Sequence, residues 1–408
     1  MLDELGEHRG AFVGLFVATG VAMLGLSILL PILPTYANTL GATGLVLGAI
    51  MSSFAVSRGV FAPYVGRVSD RYGRRNLLVF GLAFYACLAL AYTLAGTPLS
   101  LGVVRFTQGF ASVLVTPLAQ SYVGDITPEG SEGSITNLFY VSLFGGIAVG
   151  PTLGGYLNDH YGIAAPFYAM ALLAVVAAVL VYVLVPELDP DVRDVQDVPD
   201  FRDAARAAWA DYELRGILAY IAARGFYRWG FNSFFPVLMT SAAFGFDGTT
   251  IGLLLSLYMA IGGVLQIPFG RVSDDYSEYR IHFIVGGSLV SALAMMAVPL
   301  ATTLPLLVAV IVAMGVFSSV SRTSAIAIRT ERGRIHGMGL VTGAFTASVS
   351  AGQVFGPLGF GAMQDTIGLA DAFYVGGVVG LFGTAGALYY LLRGRRQARE
   401  RVRDAAAD

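Results

Sequence analysis

The chain has 408 residues, of which 56% are hydrophobic and 13% charged, with a formal net charge of −2; ordinary soluble domains carry roughly 25% charged residues. That balance excludes a soluble single-core protein and points to an all-α integral membrane protein, long enough for roughly a dozen helices of about 20 residues per span. All 25 basic residues are arginine, so a G-x-x-x-x-G-K phosphate loop is impossible and any pumping is expected to draw on an ion or solute gradient rather than on ATP.

Twelve apolar stretches follow one another along the chain. The first half contains residues 11–36, 45–65, 76–95, 99–123, 134–157 and 164–185; the second contains 214–240, 250–269, 281–301, 304–327, 337–363 and 370–392. The start, residues 1–9, is polar and acidic and the first apolar run is long, so no cleavable signal peptide is expected. Cys87 is the only cysteine and lies in an apolar run, which rules out disulfides and a cysteine-based metal site. Neither a metal nor a cofactor is expected.

Between the two sets runs an acidic, proline-bearing linker, residues 186–213, whose segment 201–209 has helical spacing and is expected to lie along the membrane interface. The expected organisation is therefore a six-helix bundle over 1–185, the linker, a second six-helix bundle over 214–392 and an arginine-rich tail over 393–408. Arg67, Arg71, Arg74, Arg75, Arg193, Arg202, Arg206, Arg271, Arg280, Arg329, Arg332, Arg334 and the tail share one side, whereas loops such as 37–44, 158–162 and 241–249 lack arginine. By the positive-inside rule both termini are cytoplasmic.

The two halves repeat. Gly66-Arg67-Val68-Ser69-Asp70-Arg71-Tyr72-Gly73-Arg74-Arg75 after the second span returns 204 residues later, degraded, as Gly270-Arg271-Val272-Ser273-Asp274-Asp275-Tyr276. Gly150-Pro151 in the fifth span returns as Gly356-Pro357 in the eleventh, 206 residues on. Two related sets of six spans suit a transporter whose halves alternate about a central site.

These residues carry a resemblance to major facilitator superfamily transporters over nearly the whole chain. Gly66-x-x-x-Asp70-Arg71-x-Gly73-Arg74-Arg75 is similar to that superfamily's loop motif between helices 2 and 3 at every defining position. Arg105-x-x-Gln108-Gly109 resembles its helix-4 motif. Gly146-x-x-x-Gly150-Pro151-x-x-Gly154-Gly155 resembles the helix-5 motif of the drug:proton antiporter (efflux) branches, and Pro31-x-x-Pro34 fits them too. The resemblance implies twelve helices in two pseudo-symmetric six-helix bundles, alternating access, and a charge cluster in the hairpin that latches one state.

In physical terms, Gly66 removes a side chain where the second helix would meet a neighbour, and Asp70 can sit against a helix N-terminus, an arrangement worth about 0.3–1 kcal/mol. Arg74 can pair with Asp125 at the end of the fourth span. Arg71 and Arg75 serve either that latch or topology alone. In the second copy Asp275 and Ser277 replace an arginine and a glycine, so a weaker latch is expected. Gly146, Gly150 and Gly154 line one helical face for close packing, and Pro151 allows a bend.

Arg58, Arg105, Arg224 and Arg228 lie well inside spans 2, 4 and 7. Each costs about 2.5–3.5 kcal/mol at mid-membrane on insertion scales, so such residues normally face a partner or a solvated cavity. Arg105, Gln108, Ser112, Thr116 and Gln120 share a face of span 4; Tyr220, Arg224, Tyr227, Phe231 and Phe235 share one of span 7, flanked by Arg228 and Asn232; Thr342, Thr346, Ser350 and Gln353 do so in span 11. No aspartate or glutamate lies deep in a span. Asp125, Asp159, Glu213, Asp247, Asp365 and Asp371 all stand at span ends or in loops. Positive charge with no acid to answer it attracts anions, and the aromatic neighbours suit an organic one.

The expected function is thus secondary transport, export of a small amphipathic, anionic solute with ion or proton coupling, by a monomer in the plasma membrane. The alternatives are an importer or anion exchanger of the same fold, and a receptor or scaffold without flux. An enzyme is disfavoured because H-E-x-x-H and G-x-S-x-G are absent. Nucleic acid is no expected partner, since the basic residues hug the membrane edge.

Overall fold

The computed structural model describes residues 8–128, 132–187, 206 and 209–405, without the side chains of 67, 70–72, 132–134 and 398–405. Most of the linker, including the interfacial segment expected at 201–209 apart from Arg206 and Trp209, lies outside the described residues. Among the described residues the structure is helical throughout, with no strand.

The first half comprises α1 (Arg9–Ser27), α2 (Leu29–Thr39), α3 (Gly44–Tyr72), α4 (Arg75–Thr93), α5 (Pro98–Val113), α6 (Thr116–Ile126), α7 (Glu132–Tyr161) and α8 (Ala165–Leu184). The second comprises α9 (Tyr212–Met239), α10 (Gly248–Val264), α11 (Gln266–Asp275), α12 (Arg280–Ala297), α13 (Leu304–His336), α14 (Met338–Thr366) and α15 (Leu369–Ala405). Pairing α1 with α2, α5 with α6 and α10 with α11 leaves twelve spans.

Those three interruptions have one cause. A proline cannot donate to the carbonyl four residues before it, and its ring collides with that carbonyl. Pro31, Pro117 and Pro268 stand four residues after Ser27, Val113 and Val264, which are the last residues of α1, α5 and α10. Spans 1, 4 and 8 are broken at these prolines, whereas Pro63, Pro151, Pro236 and Pro357 lie inside continuous helices. Ser112 and Thr116 lie on either side of the break in span 4, yet both line one small cavity with Met23 and Tyr85.

Eleven of the twelve spans are long and apolar enough to cross a membrane. The exception, α9, has the length, at 28 residues, but carries Glu213, Arg215, Arg224 and Arg228. At about 1.5 Å per residue, the 37 residues of α15 exceed a hydrocarbon core of about 30 Å. Its arginine-bearing end therefore projects beyond the apolar layer.

The described contacts gather into two units, one holding α1–α8 together with Asn232–Gly263, the other the rest of the second half. In the first, α3 packs on α5, α4 on α8, and α1 on both α7 and α8. In the second, α12 packs on α13 and α15, and α14 on both α13 and α15. Asn232–Gly263 joins the first unit because α10 touches α7 directly, backbone against backbone.

Candidate functional site

At the charged hairpin of the first half, Gly73 ends α3 with φ +87. A side chain there would also run into the Glu187 carboxylate, 2.2 Å from where a Cβ would lie. Glu187 accepts hydrogen bonds from the backbone N–H of Arg74 (2.9 Å), Arg75 (3.4 Å) and Asn76 (3.3 Å), satisfying the open N-terminus of α4. The next turn back is held too: Tyr122 donates to the Pro186 carbonyl at 2.6 Å. Arg74 forms an ion pair with Asp125. Arg75 donates to the Tyr182 carbonyl and lies 4.9 Å above that ring. The side chains of Asp70 and Arg71 lie outside the described residues. At Gly66 an added Cβ would meet nothing within 4 Å among the described residues.

The second hairpin keeps an ion pair of its own despite its lost arginine and glycine. Arg280, buried, pairs with Asp274 at 3.0 Å and with Glu331, and donates to the Ser273 carbonyl at 2.9 Å. Arg280 stands 206 residues after Arg74, and Glu331 stands 206 after Asp125. The ion pair is itself part of the repeat, and the substitutions at 275 and 277 leave it intact.

The glycine face of α7 is a contact surface on two sides. Cβ atoms at Gly146, Gly150 and Gly154 would lie 2.2 Å from the Gly20 carbonyl, 1.9 Å from the Ser27 hydroxyl and 2.2 Å from the Ile28 carbonyl. Those three glycines seat α7 on α1 and its break. Gly155 faces the other way, against the Gly248 carbonyl at 2.0 Å, while a Cβ at Gly252 would lie 2.2 Å from the Pro151 carbonyl. The second half repeats the first contact: Gly352 abuts Gly225, and Gly356 abuts the Phe226 carbonyl. Pro357 is buried beside it. There the register ends, for Phe360 stands where Gly154 stood.

Asp159, at the end of α7 remote from the hairpins, supplies what sequence reasoning missed. Its carboxylate accepts from the N–H of Gly248 (3.1 Å), the N–H of Thr249 (2.6 Å) and the Thr249 hydroxyl (2.6 Å). It thereby caps α10 from another helix. Beside it Thr152 donates to Ser256 at 2.8 Å. A cavity of about 340 Å³, lined in part by Thr35, Tyr36, Asn158 and Thr240, adjoins this contact. One signal was available, because Asp365 repeats Asp159 at the same 206-residue offset.

The arginines inside the spans separate into two groups. Arg105 donates to Gln108 at 2.6 Å and lies 4.6 Å over the Phe54 ring. Gln108, fully buried, accepts from Tyr92 (2.7 Å) and donates to Tyr85 (2.8 Å). This network stays within the first unit, so Gln108 joins helices rather than lining a passage. In the second unit Arg224, 8% exposed, donates to Ser318 at 2.7 Å, and Tyr220 donates to Ser321 at 2.7 Å. Tyr227 donates to Ser291 at 3.5 Å. The aromatic stripe of α9, expected to face a cavity, is instead packed core, because α12 and α13 present serines at matching heights.

Arg58 differs. It is half-buried in the middle of α3 and makes no hydrogen bond or ion pair among the described residues. Asn232, 4% exposed, has a side-chain oxygen with no hydrogen-bond partner among them. Gln353 is half-buried, and Arg228 lies 5.9 Å from the Trp229 ring. Arg322, half-buried within α13, is a further arginine that the sequence reading passed over. Among the described residues no cluster of histidine, cysteine and carboxylates has the makings of a metal site.

Twelve spans in two related sets, with paired hairpins and a shared glycine contact, define a membrane transporter rather than an enzyme. The Major Facilitator Superfamily model matches residues 15–241 and 217–407, and the chain belongs to that superfamily. It is 28% identical to an uncharacterized MFS-type transporter of Methanocaldococcus jannaschii, over 90% of this chain and 94% of that one. It is 27% identical to multidrug resistance protein 1 of Bacillus subtilis, over 90% and 92% respectively. Among solved structures it is similar to a bacterial homolog of the human lysosomal transporter Spinster, in an inward-facing and unoccupied conformation. The TM-score is 0.77 at 14% identity, covering 94% of this chain and 96% of that one.

Proposed function

We propose that this transporter exports a small amphipathic organic anion across the plasma membrane, with the arginine-bearing hairpins and both termini on the cytoplasmic side. The observation that carries the charge preference is Arg58. A guanidinium at mid-span with no acid, carbonyl or hydroxyl bonded to it keeps its donors for a ligand, and an anion is the ligand it favours. Asn232 offers an unmatched acceptor in the same unit, and Arg228 and Gln353 add polar capacity in the other. Arg105, Arg224, Tyr220 and Tyr227 serve as internal braces.

The duplicated ion pairs Arg74–Asp125 and Arg280–Glu331 act as latches on the hairpin side, and the Asp159 cap acts as one on the other side. Alternation between them is the proposed cycle. Asp125 and Asp159 are the carboxylates at opposite ends of the spans that can exchange a proton as each end opens, which couples export to an ion gradient. The export direction is supported by the multidrug resistance relative and by the helix-5 glycines. A monomer is complete for this cycle, since both halves lie in one chain.

The test is flux into everted membrane vesicles, using an amphipathic fluorescent anion and its uncharged and cationic analogues. The anion is expected to accumulate under an imposed gradient. Arg58→Gln should lower its flux about tenfold, the loss of one charge-assisted hydrogen bond, while sparing the uncharged analogue. Preferred transport of the cation, or an equal loss for all three, overturns the reading.

A further inference from the structure

Where α9 and α15 leave the apolar layer, two arginines converge on one tyrosine. The Arg215 guanidinium lies 5.2 Å from the centroid of the Tyr212 ring and Arg393 lies 4.7 Å from the same centroid. Arg215 also lies 5.5 Å from the Trp209 ring, and Arg393 6.0 Å from that of Tyr389. Only part of their hydrogen-bonding capacity is used: Arg215 Nε donates to the Trp209 carbonyl, and Arg393 Nη1 donates to the Tyr389 hydroxyl at 2.8 Å. Neither arginine has a carboxylate partner among the described residues. The two nearest acids in sequence, Asp211 and Glu213, are both held by Arg332, and Asp211 by His336 as well.

Two like charges brought to one ring repel each other, and an anion bound to both would offset that repulsion. The free edges of two guanidinium forks present the planar donor geometry that suits a phosphate. The surroundings decide which phosphate. Trp209 is 66% exposed and Tyr389 57% exposed, and such amphipathic rings sit at the headgroup level of a bilayer. Arg395, which donates to the Glu278 carbonyl at 2.9 Å, extends the positive surface along α15.

We infer that Arg215 and Arg393, framed by Trp209, Tyr212 and Tyr389, bind the phosphate of an anionic phospholipid headgroup. This site is independent of the transported solute. Lipid held there would clamp the start of α9 to the end of α15 and make stability depend on headgroup charge.

Native mass spectrometry of the purified full chain with phosphatidylglycerol or phosphatidylcholine tests this, alongside glycerol phosphate as a soluble anion. Phosphatidylglycerol should be retained and should raise the melting temperature, and the other two should not. Arg215→Gln and Arg393→Gln should each weaken retention about fivefold, whereas Arg396→Gln should leave it unchanged. A measurement on the otherwise intact chain keeps the test open if those variants fold poorly. In a Trp229→Phe background Trp209 is the sole indole, and brominated phosphatidylglycerol should quench it more than brominated phosphatidylcholine. Equal binding of the two lipids, equal stabilisation by glycerol phosphate, unchanged retention in both arginine variants, or equal quenching overturns the proposal.

Discussion

Removing the Asp159 carboxylate should shift the transport cycle without unfolding the protein. In Asp159→Ala the N-terminus of α10 loses three hydrogen bonds, from Gly248 N, Thr249 N and the Thr249 hydroxyl. An N-cap contributes about 0.5–2 kcal/mol and a negative charge at a helix start about 0.3–1 kcal/mol. Asp159 is exposed, so the lower part of those ranges applies and the total is about 1–2 kcal/mol, a factor of roughly 5–30 in a two-state equilibrium. That is enough to part α7 from α10 in most molecules if the two states start near balance. The assay is a pulsed electron-resonance distance measurement between spin labels at Tyr161→Cys and Ala243→Cys, with the native thiol removed by Cys87→Ser. The alanine variant should move the distribution to longer distances. Asp159→Asn, which keeps an acceptor and loses the charge, should fall between. An unchanged distribution in Asp159→Ala, with Thr249→Ala also silent, would refute the view that this carboxylate holds the two helices together.

Other outcomes follow from the same geometry. Gly150→Val should abolish folded protein on size-exclusion chromatography, because even its Cβ would fall 2.5 Å from the Leu24 carbonyl; Gly66→Ala, with open space around it, should fold normally. A double-mutant cycle of Arg280→Gln and Glu331→Gln, read by thermal melting, should give a coupling of about 1–3 kcal/mol, since the arginine is buried; a coupling near zero would make the second hairpin ornamental. Asp211 should confer an acid limit. Burial pushes its carboxyl up, but the His336 ring, the Leu214 N–H and the Arg332 charge together hold it below its ordinary value. A depressed carboxylate stabilises the fold above its ordinary range, and that contribution is lost as pH falls through the lower folded value. The melting temperature should therefore drop more steeply below about pH 4 in the parent than in Asp211→Asn. Equal slopes would refute it.

Much of the architecture was legible because it depends on local properties of the chain. Apolar run length marked the twelve spans, and even α9 was found despite its charges. The breaks in spans 1, 4 and 8 each fall four residues before a proline, but Pro63, Pro151, Pro236 and Pro357 lie inside continuous helices, so which prolines break a span was not legible. The hairpin motif and the glycine face announced the family. A glycine at φ +87, or one pressed on a neighbouring backbone, tolerates no other residue, so its position shows in the sequence.

Side-chain destinations were a different matter. The stripe of Tyr220, Arg224 and Tyr227 has the spacing of a cavity wall and of a core face alike, and only the serines of α12 and α13 decided for core. Glu187 capping α4, Asp159 capping α10 and Arg280 reaching Glu331 each join residues dozens of positions apart. Composition and repeat thus determined that this chain is a duplicated twelve-span transporter. Which polar groups are matched inside a unit, and which, like Arg58, keep their donors, was decided by tertiary packing. A hydrogen bond needs its partner within about 3 Å, and helix periodicity says which face a residue occupies but not what stands opposite.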